Sequence, residues 1–247
     1  MNTSPLILLF SDFGIGSPYI AEIDVKIFQQ NPRLHFIALL SDAPKFNIEA
    51  SAYLLQAYLK RLNQSAVVMA IVDPGVGSDR KGVVIKCDQL WLIDPDNGIL
   101  DRVCSLSEDF NVWDILWDTE QVSASFHGRD VFAPVAAKIA SGIDPNDFLE
   151  KRDSAYQYQY KHKELNQIIY IDDFGNLMTG LNQDLISSQC ILNFRDNKIH
   201  YARTFSDVSI GQLFWYINSI ELVEISVNQG NAAQRLSASI GDVVIKN

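Results

Sequence analysis

Ala66-Val67-Val68-Met69-Ala70-Ile71-Val72 carries no polar side chain, and the chain then breaks into Asp73-Pro74-Gly75-Val76-Gly77-Ser78-Asp79-Arg80. A strand with one wet face alternates apolar and polar residues. A run that is apolar throughout must be covered on both faces, which is the condition of a parallel sheet flanked by helices. Working outward, residues 6–10 repeat the pattern and end in Ser11-Asp12-Phe13-Gly14-Ile15-Gly16-Ser17-Pro18, a loop signature of Gly, Asp, Ser and Pro. Residues 34–40 read as another buried strand. Between them, residues 19–29 place Ile20, Ile23 and Ile27 on one helical face, and Pro32 stops that helix. Asn47 is suited to cap a helix over 48–62, with Glu49 favourably placed in its first turn. Residues 83–86 and 90–93 lie close enough for a hairpin extension, and a further helix is predicted from about 129 to 141, stopped by Gly142. The fold class is therefore α/β, with an N-terminal, mostly parallel sheet between helices. In such sheets ligands bind beyond the carboxyl ends of the strands, which makes the loops at 11–18 and 73–80 site candidates.

Residues 151–165 change character. They contain Lys151-Arg152-Asp153-Ser154, then alternating Tyr and Gln, then Lys161-His162-Lys163-Glu164. Beyond them, short strand-like runs at 167–171, 190–194, 212–217, 222–227 and 242–245 are separated by turn signals at Gly175, Asp196-Asn197, Gly211, Gly230 and Gly241. This spacing predicts a smaller antiparallel, β-barrel-like domain. The organisation expected is an α/β domain over 1–155, a linker over 156–165 and a β-rich domain over 166–247.

The 247 residues are 47% hydrophobic and 20% charged, as in ordinary globular chains. Lys and Arg number 20 against 30 Asp and Glu, a formal charge of -10, with no basic stripe. Nucleic acid and anionic membrane surfaces are therefore poor partners. The early apolar run at 6–10 is too short to span a bilayer or form a signal segment, so a cytoplasmic location is expected. Cys87, Cys104 and Cys190 are widely spaced and read as reduced thiols, and the four histidines form no metal-binding spacing.

Several segments have both a structural and a chemical reading. Asp73 can simply cap a tight turn, and Arg80 can be a solvated charge. His127, in Phe126-His127-Gly128-Arg129-Asp130, can hydrogen-bond a turn. If the three converge they can orient or deprotonate a water, because imidazole titrates near neutrality and a guanidinium stabilises the hydroxide formed. Asp94-Pro95-Asp96-Asn97-Gly98 reads as a plain turn. Asp172-Asp173-Phe174-Gly175-Asn176 ends an apolar strand in acids. Gly14-Ile15-Gly16 opens like a dinucleotide fingerprint, but Tyr19 stands at the third glycine, which rejects a standard nicotinamide site.

Taken in order, these segments resemble the S-adenosyl-L-methionine (SAM) hydroxide adenosyltransferase family, relatives of the fluorinase and chlorinase. The matching pieces are Ser11-Asp12-Phe13-Gly14, Val72-Asp73-Pro74-Gly75-Val76-Gly77 with Arg80, Pro95-Asp96-Asn97-Gly98, Phe126-His127-Gly128-Arg129-Asp130-Val131-Phe132-Ala133-Pro134, Asp172-Asp173-Phe174-Gly175-Asn176, Asn218-Ser219, and Asn228-Gln229-Gly230-Asn231-Ala232-Ala233. The resemblance implies an enzyme that turns SAM and water into adenosine and L-methionine with no cofactor and no metal. It also implies a homotrimer with its sites between subunits. It puts Asp73, Arg80 and His127 on the catalytic triad and Asp12 on the ribose hydroxyls. Asp172 falls on the methionine ammonium and Ser219 on its carboxylate. Phe174, Asn176, Phe205, Asn231 and Ala232 fall on the adenine pocket. The departures from the family pattern are Ser11, Ser41-Asp42, Thr179-Gly180 and the stretch 19–24, none at a triad position. A non-catalytic SAM- or adenosine-binding protein, a 5′-halogenating relative and a metal-dependent hydrolase are the alternatives. Retention of Arg80 and His127 favours hydroxide over halide.

Overall fold

The computed structural model describes residues 6–107, 109–117, 122–153, 156–160 and 162–247. It divides into two compact units, one comprising residues 1–55 and 62–161, the other residues 56–61 and 162–247.

The first unit is built on a seven-stranded sheet. Its strands are β1 (Leu6–Ser11), β2 (Phe36–Leu40), β3 (Ala66–Ile71), β4 (Gly82–Cys87), β5 (Leu90–Asp94), β6 (Phe110–Ile115) and β7 (Glu150–Lys151), in the order β2-β1-β3-β5-β4-β6-β7. β2, β1, β3 and β5 are mutually parallel, while β4, β6 and β7 extend the sheet antiparallel. The predicted hairpin is β4–β5, and it is inserted so that β5 lies beside β3. Every residue of β3 is buried, as its unbroken apolar run requires.

The strand expected to be buried at 34–40 is instead an edge strand. β2 pairs only with β1, and Ile37 is 51% exposed. An apolar run cannot by itself distinguish a central from an edge position. β6 and β7 were not anticipated: Asn111 and Asp114 interrupt Phe-Asn-Val-Trp-Asp-Ile, so it lacks a long apolar run, and β7 is only two residues long.

Helices α1 (Pro18–Gln30) and α2 (Ile48–Leu59) occupy the predicted places. The Asn47 carboxamide accepts from the Ala50 amide at 3.0 Å, the capping bond expected of it. A four-residue α3 (Asp101–Cys104) follows β5. The helix predicted from about 129 begins as a π-helical turn, Gly128–Phe132, and continues as α4 (Ala133–Ala140). Ile23 and Ile27 of α1, Phe132 of the π-helical turn, and Ala136 and Ile139 of α4 bury one face of the sheet beside Leu9, Val67 and Met69. In the stretch expected as a linker, Lys161 lies outside the described residues. The preceding residues are tied down: the Tyr156 hydroxyl and the Tyr160 amide both donate to Asp101, each at 2.9 Å.

In the second unit β12 (Leu213–Ile217), β13 (Leu222–Val227), β9 (Leu177–Asn182) and β8 (Leu165–Ile171) form one antiparallel sheet, in that order. β11 (Asn197–Ile199), β10 (Leu192–Phe194) and β14 (Ile245–Lys246) form another. Two isolated bridges, Gln167 with Val243 and Tyr201 with Trp215, join their edges. The strands thus run round a closed, barrel-like circuit over a core containing Leu177, Phe194, Trp215 and Ile225. The short α5 (Ala232–Leu236) follows β13, capped by the Asn231 side chain. Among the described residues, no helix is long and apolar enough to cross a membrane.

Candidate active site

Parallel pairing builds the first cluster. β1 and β3 are neighbours in register, with Ser11 beside Ile71, so residues just past their carboxyl ends emerge abreast. Asp12 and Asp73 are those residues. The Phe46 amide donates to Asp12 Oδ2 at 3.1 Å. Burial raises the Asp12 carboxyl above its ordinary value, while that amide and Lys45 pull it back. Asp73 Oδ1 accepts from the Gly75 amide at 3.0 Å and from Arg80 Nη1 at 2.9 Å. The guanidinium lies over Gly75, where a Cβ would sit 2.7 Å from Arg80 Nη2. A glycine is thus needed at 75 for close approach.

His127 enters from the N-terminal end of the π-turn that leads into α4. The residues around it hold it there. Phe126 packs edge-on against Phe13 and Tyr19. Arg129 bonds Glu22 and Asp130, each at 2.7 Å, and Asp130 accepts from the Ser123 amide at 3.0 Å. The imidazole is 8% exposed and lies 5.1 Å from the Trp117 ring. It makes no hydrogen bond to any described residue. A cavity of about 90 Å³ is bounded by Asp12, Asp73 and His127. A second, of about 360 Å³, is bounded by Ser78, Arg80, Trp117 and His127. Of the three residues expected to converge, Asp73 and Arg80 are paired, and the imidazole borders one cavity with Asp73 and the other with Arg80. A guanidinium can donate to a water's oxygen, and a carboxylate or a neutral imidazole can accept from its O–H.

The second cluster belongs to the other unit. A cavity of about 880 Å³ is lined by Asp172, Phe174, Asn176, Phe205, Ser219 and Asn231. Ala232 is buried at the start of α5. Asp172 accepts from the Asn176 amide at 2.8 Å and its side-chain nitrogen at 2.9 Å. Gly175 has φ +83°, and a Cβ there would lie 2.1 Å from the Asn231 side chain, so the turn admits only glycine. Phe174 is 77% exposed, an unusual position for a large aromatic ring.

Sequence reasoning missed Glu224 in this cavity. It is 2% exposed on β13, directly across from Tyr216, whose hydroxyl donates to it. Asn218 Nδ2 donates to its other oxygen at 2.7 Å. The Asn218 side-chain oxygen accepts from the Ile220 and Leu222 amides, both at 3.0 Å, which shapes the turn carrying Ser219. Burial raises the Glu224 carboxyl, with Tyr216 and Asn218 opposing. The available signal was an acid inside the otherwise apolar run Leu222-Val223-Glu224-Ile225.

A parallel α/β unit with an acid–guanidinium–imidazole group at its strand ends, followed by a β-barrel-like unit with an acidic, aromatic cavity, defines a ligand-processing protein of two-part build. The chain belongs to the SAM hydroxide adenosyltransferase family: the model of that family's N-terminal domain matches residues 7–149 and that of its C-terminal domain residues 166–245. Among its relatives is the (R)-S-adenosyl-L-methionine hydrolase of Salinispora arenicola, 29% identical, with 98% of this chain and 97% of that protein covered. The protein of the same name from Thermus thermophilus is 28% identical, with 95% and 96% covered. Among solved structures, an uncharacterized conserved protein from Thermotoga maritima superposes with a TM-score of 0.85 at 28% identity, covering 97% of this chain and 98% of that one.

Proposed function

We propose that this chain is an enzyme that hydrolyses SAM to adenosine and L-methionine by attack of water at C5′. The observation that carries the reading is the Asp73–Arg80 pair at 2.9 Å, with His127, which has no hydrogen-bond partner among the described residues, bordering one cavity with Asp12 and Asp73 and another with Arg80. Membership of the family and the names of its relatives give the substrate class.

SAM brings its own leaving group, a sulfonium, so departure needs no acid. What water lacks is nucleophilicity. Arg80 and Asp73 hold the water, and His127 takes its proton as the O–C5′ bond forms and the C5′–S bond breaks. The sulfur leaves with the bond pair as the neutral thioether of methionine, and the proton passes to solvent. Asp12 accepts from the ribose hydroxyls, Asp172 from the methionine ammonium, and Ser219 donates to its carboxylate. Phe174, Asn176, Phe205, Asn231 and Ala232 receive adenine by stacking and amide hydrogen bonds. The reaction is metal- and cofactor-independent, so a chelator leaves the rate unchanged. The protein works in the cytoplasm as a homotrimer, which light scattering of the purified chain tests.

The deciding experiment is a SAM incubation in ¹⁸O-labelled water. The expected result is label in the adenosine 5′-hydroxyl, with turnover abolished in His127→Ala and Arg80→Ala. Unlabelled adenosine, or no adenosine at all, overturns the reading. SAM binding in calorimetry without product would mark a non-catalytic binder.

A further inference from the structure

The turn at 94–98 follows β5, which lies beside β3 in the sheet. The parallel ladder between β3 and β5 ends at Met69 beside Ile93. Past that point β3 continues through Val72 to Asp73, and β5 continues through Asp94 into the turn. Asn97 Nδ2 donates to the Val72 carbonyl at 2.8 Å, replacing the strand-to-strand bond that the ladder no longer supplies. Its Oδ1 accepts from the Ile99 amide at 3.2 Å. Both ends of the carboxamide are used, and the residue is 4% exposed.

The turn itself is anchored. Asp94 Oδ1 accepts from the Asp96 amide at 3.1 Å, and Asp96 pairs with Arg152 at 2.7 Å. The carbonyl that Asn97 holds belongs to the peptide joining Val72 to Asp73. That peptide sets where the Asp73 carboxylate starts, and the carboxylate in turn holds Arg80 at 2.9 Å. Val72 is fully buried, so its carbonyl has no bulk water to turn to when that donor is lost.

We propose that Asn97 is a positioning residue for the reaction: its carboxamide clamps the Val72 carbonyl and thereby fixes the Asp73–Arg80 pair in the geometry that holds the attacking water. This rests on the reading of Asp73 and Arg80 as the water-holding pair. Asn97 touches no reacting atom, and it acts through one peptide.

Asn97→Ala removes the clamp and the turn bond together. Asn97→Asp separates them, because a carboxylate still accepts from the Ile99 amide but repels the Val72 carbonyl. A protonated Asp at 97, by contrast, donates to that carbonyl as the carboxamide does. Steady-state kinetics with SAM, a melting curve for each variant, and the cycle with Asp73→Asn test this. For Asn97→Ala the expected result is a kcat lower by roughly 10- to 100-fold with KM within about twofold of wild type, since misplacement of a reacting group costs turnover and not binding. The kcat of Asn97→Asp relative to wild type climbs as pH falls from 8 to 5. The double variant Asp73→Asn/Asn97→Ala is no slower than Asp73→Asn alone.

Wild-type kcat in Asn97→Ala, losses that multiply in the double variant, or a pH-independent ratio for Asn97→Asp would each overturn the clamp. If Asn97→Ala does not fold, the Asn97→Asp ratio still decides. Asp73→Asn turning over at the wild-type rate would instead remove the assignment of Asp73, a distinct failure.

Discussion

Gly75→Ala is the sharpest perturbation that the first cluster offers, because it moves the guanidinium proposed to hold the reacting water without deleting any group. A Cβ at 75 would stand 2.7 Å from Arg80 Nη2, 3.1 Å from Cζ and 3.3 Å from Nη1. Real Cβ atoms essentially never come within 3.0 Å and ordinary contact begins at 3.4 Å, so the guanidinium must retreat from 2.7 Å by about 0.3 to 0.7 Å. What yields is the far end of a flexible side chain and not backbone, so the fold survives. The residue also gains by restricting the unfolded chain, since φ at 75 is not in the left-handed region, and melting is unchanged or slightly raised. The retreat pulls on the 2.9 Å bond to Asp73, and misplacement on the order of 1 Å costs about 100-fold in well-aligned sites. The expected kcat is therefore roughly 10- to 100-fold lower, or ~1.4 to 2.7 kcal/mol of barrier. Adenosine release measured by chromatography, alongside a thermal melt, checks it. Arg80→Ala added to Gly75→Ala should bring the rate to that of Arg80→Ala alone. Wild-type turnover in a folded Gly75→Ala protein would refute the placement of Arg80 at the reacting water.

Two further outcomes follow from the buried acids. Glu224→Gln puts an amide N–H against either the Tyr216 hydroxyl or the Asn218 side chain, loosening the turn that carries Ser219; KM for SAM should rise by roughly 5- to 50-fold with a smaller change in kcat, and an unchanged KM would show that this end of the cavity holds no ligand. Asp94 is fully buried, with Oδ2 unpartnered among the described residues, and burial raises its carboxyl well above the ordinary value, reinforced by Asp96. The folded chain then binds that proton more tightly than the unfolded one. Stability is therefore full below the ordinary carboxylate pKa and is lost as pH rises from there to the raised value. Asp94→Asn should raise the melting temperature at pH 8 more than at pH 4, by about 2–4 °C for each kcal/mol recovered; an equal effect at both would show that Asp94 is ionised in the fold.

The elements most legible in the sequence were those whose burial demands one residue type. The runs at 6–10 and 66–72 read as covered parallel strands, and they are. Asn47 read as a cap because its side chain bonds locally, and local bonds depend on few neighbours. β2 misled, since a strand that is apolar along its length can still sit at an edge. β9 escaped notice because Leu-Met-Thr-Gly-Leu-Asn carries a Thr and a Gly within six residues, and its pairing partners β8 and β13 decide its state.

For the site, the chain itself supplied the candidates. Asp73, Arg80 and His127 carry side chains able to hold and deprotonate water, and the motifs around them were visible without coordinates. That these side chains border neighbouring cavities was not visible, because it depends on which strands are neighbours. The β1–β3 register sets Asp12 beside Asp73, and α4, packed against that sheet, carries His127 to them across more than fifty residues of chain. The same holds for Glu224 and Asn97. Each looked like a lone polar residue in a strand or turn. Only pairing with Tyr216, or the end of the β3–β5 ladder, gives it a partner, because hydrogen bonds between distant segments are fixed by register and not by local spacing.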